Sequence, residues 1–397
     1  MPTYGPPAVT FVSGEGCWLT DDGGRRYLDM LSGLAVTSLG HAHPEVAEAI
    51  ATQAATLVHV SNLFATLPGA GLARRIDALL GGGGQVFLCN SGAEANEAGI
   101  KLARRYGGTD RRTIIAAHGS FHGRTLGALA ATGQPAKQEP FTPLPAGFRH
   151  VTYGDVDGLA AAMAADVCAV LLESVQGEGG VMPAPPGYLA AARELCDTHG
   201  ALLMVDEVQT GLGRTGRWFG FEHDGVRPDV VLLAKALGNG VPIGACWATA
   251  DVAASFQPGD HGTTYGGQPL ASAAAIRTLE ILERMDAPAR AAAAGARLAG
   301  ALADLPGVVG VRGRGLLLAV ELEPGLDARV VTSAALSAGV VVNAVTPTAL
   351  RLAPPLVITD DELDHGVALL GNVLGSTRDA CGANVSTGAS GSTKGAT

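Results

Sequence analysis

Five short apolar runs set the rhythm of the middle of this chain: QVFLCN (85–90), RTIIAA (112–117), CAVLLES (168–174), ALLMVDE (201–207) and DVVLLAK (229–235). Unbroken apolar runs of this length, without period-two alternation, predict strands buried on both faces. Between them AEANEAGIKLARRY and GYLAAARELCDTHG place apolar residues three and four apart, the helical spacing. Alternating strands and helices predict an α/β fold whose mostly parallel sheet carries helices on both faces.

The two ends read differently. GCWLTDDGGRRYLDM predicts a hairpin turning at Asp-Gly, with a helix after His43-Pro44. From about residue 290, RAAAAGARLAGALADL predicts a helix leading into VVGVRGRGLLLAVEL, again antiparallel. The expectation is a large domain over 59–288 and a smaller α+β domain built from 1–58 and 289–375. The small, polar stretch 376–397 is expected to be a disordered tail.

Composition narrows the classes. The 397 residues are 47% hydrophobic and 16% charged, as in a compact globular protein. A net charge of −10 without a basic stripe excludes nucleic acid as a main partner, so an anionic substrate must be held by a few local arginines. Six cysteines without short paired spacing suit free thiols in a reducing compartment and give no zinc signature. The start MPTYGPPAV lacks the basic and apolar regions of a signal peptide, and no apolar stretch is long enough to span a membrane. A cytoplasmic protein that binds neither membrane nor nucleic acid is expected.

Candidate chemistry gathers at the strand ends, where open α/β sheets bind ligands. Lys235 follows an apolar strand and precedes a glycine-rich loop; it is either an exposed lysine past a strand end or a desolvated, nucleophilic one. Ser91-Gly92-Ala93, between strand and helix, either cradles a phosphate or merely caps the helix. Asp206 and Glu207 close an apolar strand and require a cationic or hydrogen-bonding partner: a ring N–H⁺, a metal, or an arginine such as Arg214. Glu173, Gln176 and Glu178 end a third strand; Phe121, His122 and Arg124 end a fourth, its aromatic rings suited either to stacking on a planar cofactor or to core packing. His41 and His43 lack a third ligand nearby and read as a structural turn. LGGGGQ (80–85) precedes a strand instead of following one, against dinucleotide binding. A phosphate cradle, a buried acid, a stacking aromatic and a desolvated lysine together match what a pyridoxal phosphate ring requires.

Seven segments in order, LCNSGAEANEAGIKLARRY, SFHGRTLGALAATGQPAKQEPF, LLESVQGEGGV, LLMVDEVQTGLGRTG, LLAKALGNGVPIGA, HGTTYGGQPLASAAA and LRLAPPLVIT, resemble the class III pyridoxal-phosphate aminotransferases over about residues 10–370. The resemblance implies fold type I and a homodimer with active sites at the interface. It implies that Lys235 binds pyridoxal 5'-phosphate covalently and that Asp206 pairs with the ring nitrogen. Gln209 would approach the ring hydroxyl, and Val208 and Phe121 would cover the two ring faces, with His122 beside them. Ser91, Gly92 and Ala93 would hold the phosphate together with Thr264 from the second subunit. Arg124 would take the donor's α-carboxylate, and Arg351 a keto-acid carboxylate, pairing with Glu178 otherwise. No metal is implied.

The implied reaction moves the distal amino group of N2-acetylornithine, or a close ω-amino acid, to 2-oxoglutarate. Leu34 stands where family members acting on ornithine carry tyrosine, and its apolar side chain points to a donor with a masked amine. Ser174, Ala236, Asn239, Gln268 and Thr37 depart from the usual family pattern around the pocket. The alternatives are a 4-aminobutyrate-type, ornithine or other ω-aminotransferase, a racemising or decarboxylating relative, and a non-catalytic binding protein.

Overall fold

The computed structural model describes residues 1–388. Seven strands form one sheet in the spatial order Gly84–Cys89, Gly244–Thr249, Val230–Leu233, Leu202–Asp206, Val167–Glu173, Thr113–Ala117, Phe148–Val151. Only Gly244–Thr249 runs against its neighbours. The five expected strands are present with ends shifted by one or two residues. The antiparallel strand and the edge strand Phe148–Val151 are additions.

Successive residues of a strand point to opposite faces, and here each face has its own core. Leu202 and Met204 pack beneath the helix Gly92–Gly107 with Ala95 and Leu102. Leu203 and Val205 enter the core of the other face with Leu189 and Ala192 of the helix Tyr188–His199. Helix Gly92–Gly107 lies very close to the sheet: a methyl at Gly99 would stand 2.8 Å from Met204 Cε. Its first turn is fixed by Ser91, whose Oγ accepts the Glu94 N–H, while Glu94 reaches back to the Asn90 N–H.

The chain ends interlock. Trp18–Asp21 pairs antiparallel with Arg26–Asp29, and Arg26–Asp29 pairs parallel with Val340–Val341. A second four-stranded sheet holds Val308–Arg314, Leu317–Leu322, Ala349–Leu352 and Asn343–Thr346. The amino-terminal hairpin is therefore joined to a carboxyl-terminal strand more than three hundred positions away. The expected tail requires a correction: helix Asp360–Gly388 continues through its first part. Residues 389–397 lie outside the described residues.

Leu203 is fully buried between sheet and helix, so Leu203→Ala should lower unfolding free energy by about 2–5 kcal/mol. Denaturant titration checks this, with an unchanged midpoint as the contrary result.

Candidate active site

The carboxyl ends of the strands surround a cavity of about 380 Å³. One end of it is a helix terminus. Ser91, Gly92 and Ala93 line the wall where helix Gly92–Gly107 begins. The Gly92 and Ala93 N–H groups belong to its first turn and have no hydrogen-bond partner among the described residues. With the helix dipole behind them they suit an anion. Gly92 is required there, because a Cβ would stand 2.9 Å from Val208 Cγ1.

Asp206 is buried on the same wall. Its Oδ2 accepts from Asn96 Nδ2 at 2.9 Å and meets His122 Nδ1 at 2.8 Å, and its Oδ1 accepts the Val208 N–H at 3.0 Å. If Asp206 is ionised, the proton of that contact sits on His122 Nδ1. The His122 Nε2 has no partner among the described residues. Arg214, the arginine considered for Asp206, instead donates to the Leu316 and Pro354 carbonyls and to Ser38. Among the described residues no cluster could hold a metal ion.

Lys235 begins the turn after strand Val230–Leu233 with φ at +44°. That left-handed geometry is costly for a side chain bearing a Cβ. Lys235 is only half-buried by surface because it opens onto the cavity, but its amine is enclosed by protein. Burial and the nearby Arg351 charge push the amine pKa down to about 8, against the opposing pull of Glu178, Asp206 and Glu173. The exposed-lysine alternative is thereby removed.

Glu178 is bonded to Arg351 Nη1 at 2.5 Å. Burial alone would raise the Glu178 carboxyl, but the Arg351 charge and hydrogen bond, with Lys235 and Lys137 behind them, hold it below its ordinary value. Arg351, fully buried on strand Ala349–Leu352, also donates to Gln209 Oε1 at 3.3 Å and Asn343 Oδ1 at 3.1 Å. Phe121 and Arg124 also line the cavity, with the guanidinium carbon 5.6 Å from the ring centroid.

Two expected residues stand apart. Leu34 is exposed at φ +70°, and Val36 lines the cavity instead, because the backbone of residues 32–35 turns through positive φ at each step. Thr264 lies outside its own chain's cavity, in a cleft beside Ser61, Phe64 and Thr66. One residue joins the site unannounced, and one strand-end candidate without an assigned role takes a place in it. Asn96 buttresses Asp206, and its position four residues after Gly92 on one helix face was the available signal. Glu173 lines the cavity fully buried, and burial followed by the Asp206 charge raises its carboxyl well above its ordinary range. Its Oε2 accepts the Phe121 N–H at 3.2 Å.

The sequence profile of the family described as aminotransferase class-III matches residues 2–374. The chain belongs to the class III aminotransferases. It is 50% identical over 376 residues to the acetylornithine aminotransferase of Mycolicibacterium smegmatis, covering 94% of this chain and 95% of that one. It is 51% identical over 378 residues to the acetylornithine aminotransferase of Mycobacterium tuberculosis, with 94% of each chain covered. The ornithine aminotransferase structure from Toxoplasma gondii superposes with a TM-score of 0.92 at 35% identity, over 96% of this chain and 93% of that one. The N-acetylornithine aminotransferase structure from Stenotrophomonas maltophilia gives 0.83 at 38% identity, over 95% and 98%.

Class III aminotransferases are pyridoxal-phosphate enzymes, and the residues present fit that group. The unpartnered N–H pair offers an anion seat, the pinned carboxylate suits a cationic ring nitrogen, and the poorly hydrated amine suits an aldehyde. No helix among the described residues is long and apolar enough to cross a membrane.

The Lys235 shift has a definite sign for cofactor-free protein. The folded state resists charging of the amine, and that penalty is complete below about pH 8 and vanishes by the ordinary value of 10.5. Relative to Lys235→Met, the native sequence should therefore gain stability as pH rises through this window. Paired thermal unfolding curves from pH 7 to about 10.5 measure it, and a flat difference would contradict the buried amine.

Proposed function

We propose that this aminotransferase moves the distal amino group of N2-acetylornithine to 2-oxoglutarate, giving the semialdehyde and glutamate. The observation that carries the proposal is the convergence of a desolvated Lys235 amine, a pinned Asp206 and a free helix-start N–H pair in one cavity. The two relatives named acetylornithine aminotransferase support this donor.

When bound, pyridoxal phosphate supplies an electron sink for the charge left when a proton departs from carbon. Lys235 would hold the aldehyde carbon and, once displaced by substrate, would carry that proton as base and then as acid. A weakly hydrated amine with a pKa near 8 suits both tasks at neutral pH. Asp206 would keep the ring nitrogen protonated, with Asn96 and His122 holding its carboxylate in place. The Ser91, Gly92 and Ala93 turn would seat the phosphate, and Val208 and Phe121 would enclose the ring, with Gln209 near its hydroxyl. Arg124 would bind the α-carboxylate of the amino acid that carries one.

Arg351 and Glu178 would handle the alternation of partners. Closed on each other, they leave that end of the site neutral for a donor whose reacting amine has no carboxylate beside it. Opened, Arg351 would offer its planar fork to the carboxylate of the dicarboxylic keto acid.

The functional unit would be a cytoplasmic homodimer. Its support is the position of Thr264 away from its own cavity, together with strongly exposed Leu63, Phe64 and Leu67 on the same segment.

Borohydride reduction followed by peptide mass analysis should place the cofactor on the Lys235 peptide, and a label elsewhere would overturn the assignment. A donor panel read by glutamate formation should favour N2-acetylornithine over ornithine and 4-aminobutyrate. Glu178→Ala should shift preference toward α-amine donors by about tenfold or more, the loss of one charged partner in a partly buried pair. An unchanged ranking would remove the paired switch.

A further inference from the structure

A third cation stands beside a wall of the site. Lys137 sits on the single helical turn Pro135–Gln138, which the surrounding loop clamps from both sides. Gln134 Nε2 donates to the Ser120 carbonyl at 3.0 Å, and Gln138 Nε2 donates to the Thr132 carbonyl at 2.8 Å. The clamp sets Lys137 Nζ 5.2 Å from the centroid of Phe121, the ring that lines the cavity and that Arg124 approaches at 5.6 Å. Two cations thus flank one cavity-wall ring.

Among the described residues, only one of Arg351, Arg124 and Lys137 has an ion-pair partner. Arg351 holds Glu178. Lys137 donates to the neutral Gln134 Oε1, and neither Lys137 nor Arg124 has an ion pair among the described residues. Glu178 is the carboxylate that acts most strongly on the Lys137 ammonium, which burial pushes downward and Glu178 pulls back up. A half-buried lysine over a cavity-wall aromatic ring, held only by a neutral amide and within electrostatic reach of an acid already engaged elsewhere, describes an unfilled ion pair.

The need for one comes from the switch itself, so the role of Lys137 rests on the proposed function. When Arg351 turns to the carboxylate of a dicarboxylic substrate, Glu178 is released as a partly buried anion beside a second anion. Without a new partner it would oppose the substrate it has just made way for. We propose that Lys137 is the residue that receives Glu178 when Arg351 binds a dicarboxylate, making it a positioning residue for the keto-acid half of the reaction. The movement exchanges one ion pair for another, and no covalent bond changes.

The test is equilibrium binding of glutarate, a dicarboxylate without a keto group, to the holoenzyme, with valerate as the monocarboxylate control. Lys137→Met preserves the apolar stem and removes the charge. It should weaken glutarate by about three- to tenfold, the range of a partly exposed ion pair, and leave valerate unchanged. Lys137→Arg should restore glutarate binding. In steady-state assays the loss should fall on KM for 2-oxoglutarate, while conversion of the holoenzyme by the amino donor alone, followed by absorbance, should be unaffected. Unchanged glutarate binding in Lys137→Met, or equal weakening of both acids, would overturn the assignment to Lys137. Absence of donor conversion in the native protein would instead remove the proposed function beneath it, so the two failures are distinguishable.

Discussion

An amine kept away from water is the constraint on which this architecture depends. Lys235 is placed by a strand that ends in the interior and a turn that forces its backbone into the left-handed region. Placing it there penalises the ammonium form, and the sequence around it tolerates the penalty because the same enclosure makes the amine reactive. Every other feature of the cavity is arranged relative to that amine: an anion seat at one helix start, a carboxylate within electrostatic reach, and an arginine whose charge presses the pKa further down.

Carboxylates crowded into a small volume are kept distinct by their surroundings. Asp206 is pinned by an amide, an imidazole and a backbone N–H. Glu173, one strand over, feels both burial and the Asp206 charge, and its carboxyl is raised well above its ordinary range. Glu207 is buried to the point that its carboxyl rises to about 7, even though Gly220, Thr210, Phe221 and Ser174 all donate to it. Glu178 is pulled below its ordinary value against its own burial, because it meets an arginine directly. One functional group, the carboxyl, thus takes four different settings, each decided by local burial and partners.

Two departures from the usual family pattern acquire a physical account. Ser174, where proline is common, supplies a hydroxyl to Glu207 Oε1 at 3.2 Å. Asn239, where glycine is common, adopts φ +46° and ties the lysine turn to the amino-terminal segment: its Oδ1 accepts the Leu39 N–H at 2.8 Å, and its Nδ2 donates to the Gly40 carbonyl. Asparagine tolerates that backbone region better than most side chains. Nothing in the structure explains Thr37, whose buried hydroxyl has no partner among the described residues.

The sequence by itself determined the strands whose apolar runs are unbroken, the helices with clear periodicity, and the acids and the lysine at strand ends. These depend on local pattern, and local pattern is what burial on two faces imposes. It did not disclose Phe148–Val151, an edge strand with Arg149 and His150 in its middle, or Gly244–Thr249, whose small residues carry little hydrophobic signal. Nor could spacing reveal that Asn96 touches Asp206 or that Arg351 meets Glu178, since those pairs are 110 and 173 positions apart. Tertiary structure also replaced Leu34 with Val36 at the cavity wall, through a run of positive φ values that no apolar pattern encodes. Residue types announce which chemistry is possible; only the folded chain decides which groups lose their water together, and desolvation is what gives them their altered acidity.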